Sequence, residues 1–342
     1  MRHHMLKIGA GKLHEVASTL REAEVGGKLL YISGPIVDEM YGPVVRPQLE
    51  EVAQIERLTV DRNTISCAMS VAERMIAADV DGIVGMGGGR VLDVCKYAAF
   101  ITKKPFLSIP TALANDGIAS PVAVLKREDN KPKSLGSAMP TMILLDTAVL
   151  ATCPPQLIQA GMGDTISNYM ALKDWDLAVR RGKDTMNGYA YLMSKNSLDA
   201  LLKTQYDTIC PEFIDVLANS IVLSGLAMDF AGSSRPVSGA EHLFSHALDY
   251  YGSKQSLHGL QVALGTVAVL RLIGEDDGEV LRYLRKFDVD INPEHMEIDE
   301  RTFVYCMQNA TKMRSNRYTH LNEAELDAPR LRTLYHELVE VL

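Results

Sequence analysis

The sequence predicts an α/β protein in which a parallel-sheet domain, residues 1–150, precedes a mostly α-helical domain, residues 151–342. Three observations carry this. Short apolar runs alternate with helix-periodic segments through the first 150 residues, the pattern of strands joined by crossover helices. After Pro154-Pro155 long helical patterns take over and β-branched runs thin out. A glycine cluster stands where one strand runs into a helix. A chain of 342 residues also suits two domains of about 150 residues better than one core.

In order, residues 28–33 (KLLYIS) form a short apolar strand ending at Gly34-Pro35. Residues 64–79 carry apolar side chains near every third or fourth position, a helix. Residues 81–86 (DGIVGM) read as a buried strand that meets three glycines, and residues 90–100 as the helix after them. Residues 106–109 and 142–145 are two further strands, bounded by Pro or Asp. Beyond the boundary, helices are expected at 156–177, 192–204, 211–229, 240–250 and 257–272.

Bulk properties exclude some functions. A net charge of −8 argues against a nucleic-acid surface, which needs clustered excess Lys and Arg. It leaves room for an anionic substrate, since one or two local Arg residues suffice. Five scattered Cys with no CxxC pairing point to free thiols in a reducing compartment. The start, Met1-Arg2-His3-His4-Met5, has no apolar core of signal-peptide type. The stretch from Gly259 to Leu270 is taken as the longest apolar run; it contains Gln261 and Thr266 and is too short to span a bilayer. A soluble, cytoplasmic protein without a membrane span is expected.

The clearest nucleotide signal is Gly85-Met86-Gly87-Gly88-Gly89-Arg90-Val91-Leu92-Asp93. Glycines let backbone N–H groups approach a pyrophosphate, and the helix N-terminus adds partial positive charge there, as in a Rossmann-like domain. The spacing is not GxGxxG, and the same residues would also make a tight turn. A second loop, Pro110 to Pro121, follows a strand and is rich in small and hydroxyl residues; it reads either as a cleft lining or as an ordinary surface loop.

Three of nine histidines, His242, His246 and His258, fall within seventeen residues. Ser238 and Glu241 have the spacing of a capping box, which starts a helix there and puts His242 and His246 at i and i+4 on one face. Imidazoles with one carboxylate make a Zn²⁺ site with an open position. Asp164, at what reads as a glycine break in Gly161-Met162-Gly163-Asp164, is the carboxylate chosen. A chance His pair and a capping Asp remain the alternative.

These motifs, in order, are GGGRVLD (87–93), Pro110-Thr111 with DGIASP (116–121), GMGD (161–164), GSSRPVSGAEHLFSH (232–246), HGLQVALG (258–265) and RYT (317–319). With them the chain resembles the sn-glycerol-1-phosphate dehydrogenase family, within the superfamily of glycerol dehydrogenases, iron-type alcohol dehydrogenases and dehydroquinate synthases. The stretch SSRPVSGAEH points to the phosphorylated branch. The resemblance implies a Rossmann-like N-terminal domain, a helical C-terminal domain and an active site in the cleft between. It implies Zn²⁺ held by Asp164, His242 and His258, with His246 and Asp116 facing substrate. Gly87, Gly88, Gly89, Arg90, Val91, Asp93, Thr111 and Ser120 are the implied contacts of NAD or NADP. One departure is Ala114-Asn115, where the family commonly has Ser-His before Asp-Gly.

The expected reaction is reversible, NAD(P)- and zinc-dependent reduction of dihydroxyacetone phosphate to sn-glycerol 1-phosphate. Arg235 is the phosphate candidate, because guanidinium matches phosphate oxygens bidentately; an Arg that merely supports the helix is the alternative. Rival readings are a sugar-phosphate cyclase of the dehydroquinate synthase type and a dehydrogenase of another small polyol. The expected partners are a small phosphorylated polyol or ketose and further copies of the chain in a homo-oligomer, with no nucleic acid.

Overall fold

In the computed structural model, residues 4–252 and 256–342 are described. Met1 to His3, and Ser253 to Gln255 between the helices expected at 240–250 and 257–272, lie outside them. The chain divides into two compact units. One is Met1–Pro154 with Cys210–Gly225, the other Pro155–Ile209 with Leu226–Leu342.

The first unit is built on a six-stranded sheet. Its strands are β1 (Met5–Gly9), β2 (Gly27–Ser33), β3 (Ala53–Thr59), β4 (Gly82–Gly87), β5 (Phe106–Pro110) and, after a small antiparallel hairpin of β6 (Val122–Lys126) and β7 (Pro132–Gly136), β8 (Met142–Asp146). The spatial order is β1-β8-β5-β4-β2-β3 and every pairing is parallel. The expected α/β class, a parallel sheet followed by helices, is what the chain forms. The strands β4, β5 and β8 are buried along their whole length and are mostly apolar, with Ser108 inside β5 and Asp146 at the end of β8 the exceptions. Helix Ile65–Ala77 starts where Thr64 caps it, accepting from Cys67 N at 3.1 Å.

The second unit is helical. The expected single helix over 156–177 is two, Pro155–Ile166 and Asn168–Arg180, parted at Ser167. Helices Ala240–Tyr251 and His258–Leu272 pack on each other, and the latter packs on Pro155–Ile166. The helix Pro211–Ala231, whose residues through Gly225 belong to the first unit, is longer than the apolar run singled out in the sequence. At 21 residues it is, among the described residues, the one helix long and apolar enough to cross a membrane, and 61% of its most apolar window is buried in the protein. All five cysteines are free thiols.

Candidate functional site

In the first unit, β4 ends at Gly87 and Gly88 caps helix Gly89–Thr102. The strand order reverses between β2 and β4: the chain leaves β2 toward β3 on one side and β4 toward β5 on the other. The carboxyl ends at such a reversal are where open α/β sheets bind ligands. The glycines there are of two kinds. A Cβ at Gly85 would lie 2.7 Å from Cys95 Sγ, and one at Gly87 3.1 Å from Val91 Cβ, so internal packing demands both. At Gly88 the nearest atom would be Ala112 Cβ, 3.9 Å away, and at Gly89 none of the described residues comes within 4 Å. Open backbone at a helix N-terminus is the cradle a pyrophosphate fills. The residues present therefore fit a dinucleotide.

The remaining nucleotide candidates separate by exposure. Arg90 is exposed, and Thr111 is half-buried with its N–H on Gly87 O at 3.0 Å. Val91, Asp93 and Ser120 are buried and engaged within the fold. Ser120 Oγ donates to Val122 O at 3.2 Å. Asp93 lies 3.2 Å from the ammonium of Lys96, a residue the sequence reading passed over. Lys96 is buried and also donates to the carbonyls of Val122, at 2.7 Å, and Gly117. The Asp93–Lys96 pair thus ties the glycine-turn helix to the loop bearing Asp116. Asp116 opens a one-turn 3-10 segment, Asp116–Ile118, capped by Asn115, whose side-chain oxygen accepts from Gly117 N at 2.9 Å.

In the second unit, Asp164, His242 and His258 each offer a ligand atom, all within 4.8 Å of one another. Asp164 Oδ1 is 3.6 Å from His258 Nε2 and 3.9 Å from His242 Nε2. The other ring nitrogens are held from behind. His242 Nδ1 is 2.8 Å from Glu241 Oε1, and His258 Nδ1 is 2.9 Å from Ser245 Oγ. Ser245 gives its one proton to Gln261 Oε1 at 2.6 Å, so it accepts from His258 Nδ1–H. Glu241 Oε1 likewise accepts, from His242 Nδ1–H and from Gly239 N at 2.6 Å. Both imidazoles are thereby set with an Nε2 lone pair toward the same carboxylate. That donor set, with each His oriented by an outer hydrogen bond, fits a divalent cation such as Zn²⁺.

Glycines bring these ligands together. A Cβ at Gly163 would overlap the Gly259 carbonyl oxygen, and one at Gly259 the Ala160 carbonyl oxygen. The two helix backbones touch, and Asp164 and His258 are the residues next to the contact. Gly161 and Gly163 are therefore not the break expected around Asp164; both lie inside helix Pro155–Ile166. The capping box expected at Ser238 also gives way. Gly239 is the N-cap, and the first backbone donors of the helix go to buried acids: Gly239 N to Glu241, and Ala240 N to Asp174 Oδ2 at 2.6 Å.

His246 lies beside the set, its ring stacked toward His258 at a centroid distance of 6.5 Å. Burial, then the Arg314 charge, holds its pKa down to about 3. Arg235, the expected phosphate residue, is already engaged in part. Its side chain is 4% exposed, with Nε on Asp184 Oδ2 and Nη2 on Tyr318 O, both at 2.7 Å. The guanidinium is thus hydrogen-bonded on two sides beside the 3-10 segment Arg235–Val237, while its buried Nη1 has no acceptor among the described residues.

Comparison with known proteins gives the family. The iron-containing alcohol dehydrogenase family matches residues 7–154. A glycerol-1-phosphate dehydrogenase (NAD(P)+) of Staphylothermus marinus is 36% identical over 326 residues, 93% of this chain and 91% of its own. That of Methanosarcina barkeri is 32% identical over 318 residues, 92% and 89% of the two chains. The chain belongs to the glycerol-1-phosphate dehydrogenase family. Solved structures share the fold of this family member at lower identity. A probable glycerol dehydrogenase of Sinorhizobium meliloti superposes with a TM-score of 0.76 at 19% identity, covering 99% of this chain and 96% of its own. A glycerol dehydrogenase of Schizosaccharomyces pombe gives 0.78 at 15% identity, covering 99% and 89%. Asn115 serves as the cap of the Asp116 turn.

Proposed function

We propose that the protein reduces dihydroxyacetone phosphate to sn-glycerol 1-phosphate, reversibly, with NADH or NADPH. The observation that carries this reading is the pair of imidazole lone pairs aimed at the Asp164 carboxylate in a chain of this family. Residues 1–150 are assigned the dinucleotide and residues 151–342 the metal and substrate. When bound, the nicotinamide supplies the hydride and the divalent metal the Lewis acidity that polarises a carbonyl. The chain's own residues do the rest. Asp164, His242 and His258 hold the metal, and Glu241 and Ser245 fix the two ring tautomers. His246 is neutral at working pH, so it serves as a hydrogen-bonding group that orients the substrate hydroxyls rather than as a cation. Asp116 is assigned to the substrate as well. Gly88, Gly89, Arg90 and Thr111 receive the nucleotide, while Val91, Asp93 and Ser120 shape the turn and loop from beneath. A cytoplasmic homo-oligomer is the setting we assign.

The test is a substrate panel followed by nicotinamide absorbance. Dihydroxyacetone phosphate should be consumed with one equivalent of NAD(P)H and far faster than dihydroxyacetone. In reverse, sn-glycerol 1-phosphate should be oxidised and its sn-3 mirror image should not. Turnover without net change in the nicotinamide would replace this reading with a cyclase. Equal rates on phosphorylated and free ketone would leave a polyol dehydrogenase of another specificity.

A further inference from the structure

We infer that Arg314 and Arg317, and not Arg235, seat the phosphate of the three-carbon substrate; this rests on the reaction proposed above. The two arginines converge on one hydroxyl. Arg314 Nη1 donates to Ser234 Oγ at 2.8 Å and Arg317 Nη2 to the same oxygen at 3.0 Å. Arg317 Nη1 also donates to the Ser238 carbonyl, just ahead of the histidine-bearing helix Ala240–Tyr251. The 3-10 segment Ala310–Arg314 packs against that helix.

The cluster is short of negative charge. Arg235, Arg314 and Arg317 lie together, and the Arg235 charge is answered by Asp184. Among the described residues neither Arg314 nor Arg317 has an ion-pair partner, and the buried Arg235 Nη1 has no acceptor. Burial and crowding by the other two guanidinia hold the Arg317 pKa down to about 9. Partly desolvated guanidinia without anions are costly to maintain. A phosphate of about −1.5 to −2 charges would relieve that cost, and two planar forks supply the matched donors it needs. In a chain of net charge −8, such a site must be built locally, and this cluster is next to the metal ligands.

The experiment compares wild type with Arg314→Gln, Arg317→Gln and the corresponding Lys variants. Metal content, NADH affinity and melting temperature are verified for each. The kcat/KM ratio of dihydroxyacetone phosphate to dihydroxyacetone is the readout. Each Gln variant should raise KM for the phosphorylated ketone and lower that ratio, by roughly 10–100-fold, the scale of lost hydrogen bonds to a charged group. The Lys variants should recover part of it, since they keep charge but not the fork. A wild-type preference that survives in both folded Gln variants overturns the inference alone. No preference in wild type overturns the reaction reading and this inference with it. Should the Gln variants not fold, a crystal structure of the metal-loaded wild type with sn-glycerol 1-phosphate decides. Its phosphate must lie within hydrogen-bond reach of both guanidinia, and a phosphate seated elsewhere overturns the inference.

Discussion

Asp164 Oδ1 and the two Nε2 atoms form three acceptors turned toward one point, with 3.6 and 3.9 Å to the oxygen. Such a set is unfavourable without a cation, and burial already pushes the His242 pKa well below the usual imidazole range. What keeps the lone pairs aimed inward is the row behind them: Glu241 on His242, and Ser245 with Gln261 on His258. Glu241→Gln replaces a carboxylate acceptor with an amide and should weaken Zn²⁺ binding by about 10–100-fold. His242→Ala and His258→Ala each remove one of three protein ligands and should weaken it further. Competition with a chelator measures all three, and undiminished affinity in Glu241→Gln would remove its orienting role. Chelation of the wild type should abolish activity, with Zn²⁺ restoring it. The protein should remain folded when apo by circular dichroism, because its core is large. The histidines and Asp164 were legible as residue types at a suggestive spacing. Their outer partners were not, because Glu241 looked like a capping residue and Ser245 and Gln261 gain meaning only once two helices pack.

Packing of those helices depends on the absence of two side chains. The carbonyl of Ala160 occupies the place of a Gly259 Cβ, and the carbonyl of Gly259 that of a Gly163 Cβ. Gly259→Ala should therefore push the helices apart, costing about 1–3 kcal/mol or more of stability. Because His258 adjoins the contact, metal affinity should fall with it. A thermal melt and a metal titration on the same sample test both, and an unchanged pair of values would mean that the backbones can part freely. In the sequence these glycines read as a break in a helix, since glycine disfavours helix interiors by its own propensity. Tertiary contact reverses that reading. Elements at the rim of the sheet were hidden for a different reason. β1 and β3 are edge strands, half-exposed, with apolar residues interrupted by Lys7, Gln54, Glu56 and Arg57. Helix Pro35–Glu50 carries Pro43 and Pro47 inside it, which mask its periodicity. The central strands and the helices of the second unit stood out because burial keeps their apolar pattern dense.

At the scale of the whole chain, the change of texture after Pro154-Pro155 marks where the first run of sheet-forming sequence ends. Nothing in the composition of residues 210–225 signals that Cys210–Gly225 belongs with the sheet unit. That membership comes from contact: a Cβ at Gly225 would overlap the Ala119 carbonyl in the loop after β5. The division of labour between units makes a prediction that neither unit makes alone. The glycine turn lies wholly in the first unit and the metal ligands wholly in the second. Gly88→Val adds a branched side chain where the fold leaves open space, so it should leave melting temperature and metal content intact. It should raise the NADH dissociation constant by about 10–100-fold, from the loss of close backbone approach to the pyrophosphate. Gly85→Val, three residues away, would meet Cys95 and should instead lower the melting temperature through overpacking, by about 1–3 kcal/mol of stability. His258→Ala should do the reverse of Gly88→Val, losing metal while keeping NADH affinity. Calorimetric titration of NADH and metal analysis on the three variants test this crossed pattern. Unchanged NADH affinity in Gly88→Val would reduce the turn to a structural feature, and loss of NADH binding in a folded His258→Ala would show that the two sites are not independent.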